Sequence, residues 1–147
     1  MAKVRDLLTR KARPDVVSVP STATVLDAAR LMNDHHIGGV VVMDGSAARP
    51  VGIFTERDVL RRVVGAGLDP VSTAVCDVMS TTLITVTPDT PVEECRALMP
   101  ERRIRHVPVV GATGLEGLVT AGDVMAWEAS EHRTQLPQLT DYVYYSR

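Results

Sequence analysis

The sequence predicts an α+β (mixed α/β) fold made of two β-α-β-β-α motifs packed about a pseudo-twofold axis. Residues 16–43 align with residues 83–110 without a gap, and "GIFTERD" at Gly52 returns as "GLVTAGD" at Gly117. Such self-similarity indicates a duplicated structural unit. A unit of roughly 60 residues buries too little surface to be stable alone. We therefore expect the two copies to pack face to face and to leave two related clefts at the seam.

Each copy contains three apolar runs that predict strands. The first is "VVSV" at Val16 and "LITV" at Leu83, both rich in β-branched residues. The second is "IGGVVVM" at Ile37 and "IRHVPVV" at Ile104. These runs are apolar on both faces, as expected of central strands covered from two sides. The third strands, "VGIF" and "LEGLV", follow loops rich in turn residues.

Each copy also predicts two helices. The first begins after a Ser/Thr/Pro/Asp cluster, and its buried stripe in the first copy consists of Val25, Ala28, Ala29 and Met32. The second follows the third strand, and its core face in the first copy is predicted to be Val59, Leu60, Val63 and Val64. In the second copy we expect Pro100 to end or kink the first helix and displace the following arginines. Four methionines have core spacing: Met32, Met79, Met99 and Met125.

The repeat divides the chain into four predicted segments. These are a first motif at residues 1–66, a linker at 67–74, a second motif at 75–135 and a C-terminal tail at 136–147. The tail holds all three tyrosines, which favours a contact with a partner because tyrosine is enriched at interfaces.

The composition narrows the class of protein. Of 147 residues, 45% are hydrophobic and 23% charged, which is typical of globular domains. The charged N-terminus lacks the apolar stretch of a signal peptide and no run is long enough to cross a membrane, so we expect a cytoplasmic protein without membrane contact. A net charge of −2 and only 3% aromatic residues argue against nucleic-acid binding. Cys76 and Cys95 lack the spacing of a metal or redox site and are expected to be buried or half-buried.

The repeated Thr-x-x-Asp has two interpretations. Thr55 with Asp58, and Thr120 with Asp123, match a capping box, which explains the spacing without any function. A strand-to-helix turn also presents a hydroxyl, a carboxylate and amide groups together, and the carboxylate can accept from the vicinal hydroxyls of a ribose. At this point both interpretations stay open.

The full tandem pattern resembles a pair of cystathionine-β-synthase (CBS) motifs, also called a Bateman module. The resemblance covers roughly residues 4–130 and is found independently in both copies. It implies a regulatory module without catalytic activity and without a required cofactor. Its clefts would bind an adenosine-containing ligand: AMP, ADP or ATP first, with S-adenosylmethionine or NAD as further candidates. It also implies a homodimer that acts on a regulated protein, which the sequence does not identify.

The resemblance assigns candidate ligand contacts to two sites that each draw on both motifs. One site would consist of Thr120, Asp123, Val17, Ile37, Gly38 and Gly39. The other would consist of Thr55, Asp58, Ile84, Ile104, Arg105 and His106. Adenine would lie against aliphatic side chains and strand backbone.

The two copies differ where the phosphate would bind. The resemblance implies that phosphate-facing side chains come from the same motif as the aspartate, so Arg105 and His106 would also serve the phosphates of the Asp123 site. The first copy has Gly38 and Gly39 there, so the Asp123 site is expected to hold a phosphorylated ligand more tightly. The sequence shows no nucleophile with an adjacent base, no metal spacing and no phosphate-binding loop, which argues against an enzyme. The alternative is a ligand-free dimerisation or scaffold module with the same core.

Overall fold

The predicted α+β duplication is confirmed by the structure, a computed structural model. It describes residues 1–11, 16–45 and 48–135, the last three by backbone only. The predicted tail at 136–147, with its tyrosines, lies outside the described residues. The first copy forms a sheet with strand order β1-β2-β3, in which β1 is parallel and β3 antiparallel to β2. Its elements are α1 (Val4–Arg10), β1 (Ser18–Pro20), α2 (Val25–His35), β2 (Gly39–Met43), β3 (Pro50–Thr55), α3 (Glu56–Asp58) and a π-helix (Val59–Val64).

The second copy has the same order of elements with one strand fewer. They are a 3₁₀ turn (Val75–Asp77), α4 (Val92–Arg102), β4 (His106–Gly111), β5 (Gly114–Thr120) and α5 (Ala121–Gln135). β4 and β5 form an antiparallel hairpin. The predicted strand "LITV" is wrong: within the part of the chain that the structure describes, this segment forms a single parallel bridge, from Val86 to Val109.

A proline explains the missing strand. In the first copy the amide of Val41 donates to the carbonyl of Val17 at 3.2 Å, which extends the pairing of the first strand. The matching pair in the second copy is Pro108 and Ile84. Because proline has no N–H, it cannot donate this bond, and the ladder stops at Val86.

The two lead-in segments cross over, so each completes the core of the other copy. Val4 of α1 is fully buried in the second copy's core and its amide donates to the carbonyl of Thr90 at 2.8 Å. Val75 of the 3₁₀ turn is fully buried in the first copy's core and its amide donates to the carbonyl of Ala23 at 2.7 Å. These matching bonds follow the pseudo-twofold symmetry, and each copy depends on the other for a closed core.

A third, smaller cluster joins the two copies at the seam. Val41 and Ile53 of the first sheet pack with Leu118 of β5. Ile53 and Leu118 occupy matching positions of the repeat. Residues that match in sequence therefore meet at the pseudo-twofold axis, as expected for face-to-face packing.

The helix after β3 presents a narrower core face than its sequence predicts. Val63 is buried and Val59 partly buried, but Leu60 and Val64 are 64% and 65% exposed. Met125, which matches Leu60, is 65% exposed. The predicted core roles of Leu60, Val64 and Met125 are wrong because only one side of each helix rests on the sheet and the wider apolar stripe extends past the contact.

Pro100 does not interrupt α4, contrary to the prediction. The helix continues to Arg102, and Arg103 caps it in the left-handed conformation with φ of 55°. α2 ends in the same way at His36, with φ of 54°. Pro100 lies in the last turn, so few residues follow the hydrogen bond that its ring removes, and the capping bonds to the left-handed residue close the helix end.

The two cysteines differ in burial. Cys95 is buried in the second core, and burial, with a smaller effect of Glu94, raises the pKa of its thiol to about 11. Cys76 is exposed, so its predicted burial is wrong, because the 3₁₀ turn places Val75 rather than its neighbour in the core.

The crossover gives a stability prediction. Val4→Ala should reduce the free energy of unfolding by about 2 kcal/mol, since it removes two buried methyl groups and leaves a cavity in the second copy's core. Val71→Ala is the matched control, because Val71 is 61% exposed and should change stability by less than about 0.5 kcal/mol. Urea unfolding of both variants measures the difference. Equal losses would show that α1 does not belong to that core.

Candidate functional site

A large cleft lies at the seam between the two copies. Its volume is about 1740 Å³. All the residues assigned to the two candidate sites line it: Val17, Ile37, Gly38, Gly39, Thr55, Asp58, Ile84, Ile104, Arg105, His106, Thr120 and Asp123. The expected two separate clefts are joined into one. Ligand pockets for small molecules usually measure about 300 to 1,000 Å³, so this volume could accommodate more than one such ligand.

Thr120 and Asp123 form a complete capping box at the start of α5. The amide of Thr120 donates to Oδ2 of Asp123 at 2.8 Å, and the amide of Asp123 donates to Oγ1 of Thr120 at 3.1 Å. Within the described residues, no donor contacts Oδ1 of Asp123 at hydrogen-bonding distance. The cap therefore uses one carboxylate oxygen and leaves the other for a further partner.

Thr55 and Asp58 form the same box in a more buried setting. The amide of Thr55 donates to Oδ2 of Asp58 at 3.0 Å, and the amide of Asp58 donates to Oγ1 of Thr55 at 3.4 Å. Asp58 is the one buried charged residue of the described part of the chain. Nε of Arg62 lies 3.6 Å from Oδ1 of Asp58, so this carboxylate has a cation from its own helical segment.

A third Thr-x-x-Asp shows that the motif can cap a helix without lining the cleft. Thr24 and Asp27 cap α2 with both bonds of a capping box, yet neither residue lines the cleft. The motif is therefore sufficient for a cap and insufficient for a site. What distinguishes the other two boxes is their location on one shared cleft.

Backbone hydrogen bonds hold each turn against the second strand of its own copy. The amide of Glu56 donates to the carbonyl of Gly38 at 3.0 Å, and the amide of Ala121 donates to the carbonyl of Arg105 at 2.9 Å. The positions match under the repeat. Each aspartate is thereby placed beside the glycine or arginine of its own motif, where the sequence predicts phosphate contacts.

The difference between Gly39 and His106 has a packing reason at the seam. A Cβ placed on Gly39 would lie 3.1 Å from the His106 ring and 3.3 Å from Cγ2 of Thr55. Gly39 and His106 occupy matching positions of the repeat. Because they contact each other across the pseudo-axis, a large residue in one copy requires a small one in the other.

The environment of His106 favours its neutral form. Burial lowers its pKa, and the neighbouring Arg105 and Lys11 lower it further, whereas Glu56 and Asp123 act in the opposite direction. With its pKa below the usual value near 6.5, the imidazole is neutral at pH 7. In this state one ring nitrogen donates a hydrogen bond and the other accepts one.

Several lining residues were not found from the sequence. Lys11 arrives from the crossed-over N-terminal segment, and residues 80–83 arrive from the second lead-in. Their contribution depends on the crossover, which has no local signature. His36 and Arg103, the left-handed helix caps, also line the cleft, and non-glycine residues in this conformation are uncommon.

The cleft is positively charged although the chain is not. Seven lysines and arginines line it against four aspartates and glutamates, a surplus of three positive charges in a chain of net charge −2. The cations are Lys11, Arg57, Arg61, Arg62, Arg102, Arg103 and Arg105. Both halves carry cations, so the tighter Asp123 site stays a prediction. A cleft with this surplus attracts an anionic ligand.

The described residues contain no group of three or more metal-ligating side chains suited to hold a metal ion. Their helices also include none long and apolar enough to traverse a bilayer.

Comparisons with known proteins agree with the fold. The family model "CBS domain" matches residues 4–65 and 75–130. The chain is 43% identical over 123 residues to the mitochondrial CBS domain-containing protein CBSX3 of Arabidopsis thaliana, an alignment that covers 82% of this chain and 60% of that protein. The chain thus spans less than two thirds of this relative.

Two solved structures are similar to this chain in three dimensions. A putative signal-transduction protein with CBS domains from Burkholderia ambifaria has a TM-score of 0.79 and 35% identity, over 84% of this chain and 91% of that one. A CBS domain protein from Pyrobaculum aerophilum complexed with AMP has a TM-score of 0.74 and 31% identity, over 83% of this chain and 89% of that one.

The contact across the seam gives a testable coupling. Gly39→Ala should lower the free energy of unfolding by about 1 to 3 kcal/mol, because the new methyl group meets the His106 ring and Thr55. Adding His106→Ala should recover part of the loss, with a coupling energy of about 0.5 to 3 kcal/mol.

Gly38→Ala is the matched control for this experiment, since its nearest contact would be an ordinary 3.5 Å. Chemical denaturation of the wild type, Gly39→Ala, His106→Ala and the double variant gives the cycle. Additive effects of Gly39→Ala and His106→Ala would contradict the contact.

Proposed function

Because the chain belongs to the CBS-domain family, we propose that it is a non-enzymatic regulatory module that binds an adenosine-containing ligand in the cleft between its two motifs. We divide it into a first motif at 1–66, a linker at 67–74, a second motif at 75–135 and a tail. AMP, ADP and ATP are the preferred ligands, ahead of NAD and S-adenosylmethionine. The AMP bound to the Pyrobaculum relative supports this class of ligand.

One observation carries the proposal: two Thr-x-x-Asp turns share a single cleft that has a surplus of positive charge. Oδ1 of Asp123 is available to accept from ribose hydroxyls, at about 1.5 to 3 kcal/mol for a charged hydrogen bond. The surrounding arginines favour phosphate, which guanidinium binds in bidentate geometry. The same charge surplus disfavours S-adenosylmethionine, which carries a sulfonium cation.

The adenine ring would pack against aliphatic side chains. Val17, Ile37, Ile84 and Ile104 line the cleft, two from each copy. Ile84 is not part of a regular strand, because Pro108 cannot pair with it, and its backbone can hydrogen-bond a base edge. Apolar walls with a few convergent polar groups are typical of small-molecule sites.

A ligand in this cleft would contact both motifs and so change their relative pose. It can shift that pose only by the difference between its affinities for the two arrangements. The output would be a change in the state of a regulated protein.

We place the protein in the cytoplasm, although the Arabidopsis relative is named as mitochondrial. Import of a fluorescent fusion into an organelle would contradict this location.

Self-association is a second proposal with an observation of its own. Leu60 and Met125 occupy matching positions and are both about two-thirds exposed, as is Val64 one turn further along. Exposed apolar residues on two pseudo-symmetric helices favour a homodimer through these faces. If the cleft bound no ligand, this dimer would support the alternative of a scaffold module.

Ligand binding is tested by thermal unfolding with AMP, ADP, ATP, NAD and S-adenosylmethionine in turn. A ligand at 100 times its dissociation constant stabilises by about 2.7 kcal/mol, or roughly 5 to 10 °C for a chain of this size. Asp123→Ala or Asp58→Ala should abolish or reduce the shift, with the larger loss predicted for Asp123→Ala.

Asp27→Ala is the control for capping. It removes the same type of capping box outside the cleft, so it should lower the melting temperature but preserve the ligand shift. Equal ligand shifts in Asp27→Ala, Asp58→Ala and Asp123→Ala would show that these carboxylates serve only as caps. No shift with any compound would favour the scaffold module.

The dimer is tested by size-exclusion chromatography with light scattering. Leu60→Glu combined with Met125→Glu should convert a species of twice the chain's mass into a monomer, because a charge would be buried on each side of the interface. Val71→Glu, at a residue 61% exposed and outside these helices, should leave the dimer intact. A monomeric wild-type protein would rule the proposal out.

A further inference from the structure

Lys11 lies beside the carboxylate of Asp123. Its Nζ is 3.0 Å from Oδ2 of Asp123 and donates to the carbonyl oxygen of Leu118 at 2.7 Å. The side chains of Lys11 and Asp123 are 22% and 20% exposed. Water and salt therefore screen this pair less than a surface ion pair.

The cation beside Asp58 is held differently. Nη1 of Arg62 donates to the carbonyl oxygens of Met79 at 2.9 Å and Val78 at 3.3 Å, and its Nε lies 3.6 Å from Asp58. These bonds fix the guanidinium to the backbone. Arg62 is therefore anchored to the backbone with its Nε 3.6 Å from Asp58, whereas Nζ of Lys11 lies 3.0 Å from Asp123.

The donor count of Lys11 leaves room for a ligand. An ammonium group has three N–H donors, and the described residues provide two acceptors, Asp123 and Leu118. The third donor can bind a phosphate oxygen. Without Lys11, the negative charge of Asp123 would repel a phosphate placed beside the ribose, since like charges at short distance in a half-buried site interact strongly.

We infer that Lys11 is a specificity-determining residue for the Asp123 half of the cleft, and that it makes this half prefer a phosphorylated adenosine ligand to the uncharged nucleoside. It neutralises Asp123 at Oδ2 while Oδ1 holds the ribose, so one carboxylate binds the sugar without rejecting the phosphate. The inference rests on the proposed function of the cleft.

The test compares AMP with adenosine by isothermal titration calorimetry. Lys11→Met keeps the unbranched side chain, one atom shorter, and removes its charge. It should weaken AMP binding by about tenfold or more, as expected for a charged hydrogen bond, and change adenosine binding by less than about twofold. Lys11→Arg keeps the charge and should retain most of the preference for AMP.

Lys3→Met is the matched control. Lys3 lies directly before α1 and Lys11 directly after it. Nζ of Lys3 lies 3.8 Å from the exposed Asp89, and Lys3 does not line the cleft. It should bind both compounds as the wild type does. An unchanged ratio of AMP to adenosine affinity in Lys11→Met would overturn the role of Lys11 while the proposed function stands. A wild-type protein that binds neither compound would overturn both.

Discussion

The exchange of the two lead-in segments is the constraint on which the structure depends. Val4 completes the core of the second copy and Val75 that of the first, each fully buried and each hydrogen-bonded to the backbone of the copy it joins. Neither copy can close its core alone, so the two cannot separate without exposing apolar surface. The crossover also draws Lys11 and residues 80–83 to the cleft, so the same contacts that stabilise the fold complete the walls of the candidate site.

A pseudo-twofold axis makes the two motifs similar in backbone and unequal in side chains. Where matching residues meet at the axis, both can be apolar and of moderate size, as Ile53 and Leu118 are. Gly39 and His106 show the other solution, in which one residue has no side chain and its counterpart can be large. Close packing forbids two large residues there. The difference in side chains between the two halves of the cleft therefore follows in part from the geometry of the seam.

The same aspartates serve the fold and, we propose, the ligand. Oδ2 of Asp123 caps α5 and pairs with Lys11, while Oδ1 has no donor among the described residues. Thr24 and Asp27 form the same cap away from the cleft, where the motif has only its structural use. A Thr-x-x-Asp therefore becomes a candidate anchor through its position at the seam, and this is why Asp27→Ala is an informative control for Asp123→Ala.

The sequence by itself determined the duplication and the order of most elements, because these features are local or repeat at fixed spacing and are visible in hydrophobic periodicity and turn residues. The twelve candidate contacts were assigned through the resemblance to the CBS family, and all of them line one cleft. Tertiary structure decided which side of a helix meets the sheet, and it left Leu60 and Met125 exposed. It also decided which segments pair as strands, because Pro108 lies opposite Ile84 and has no N–H to donate to its carbonyl. It also decided that Lys11 reaches Asp123, because a contact between segments so distant in sequence depends on how the two copies pack.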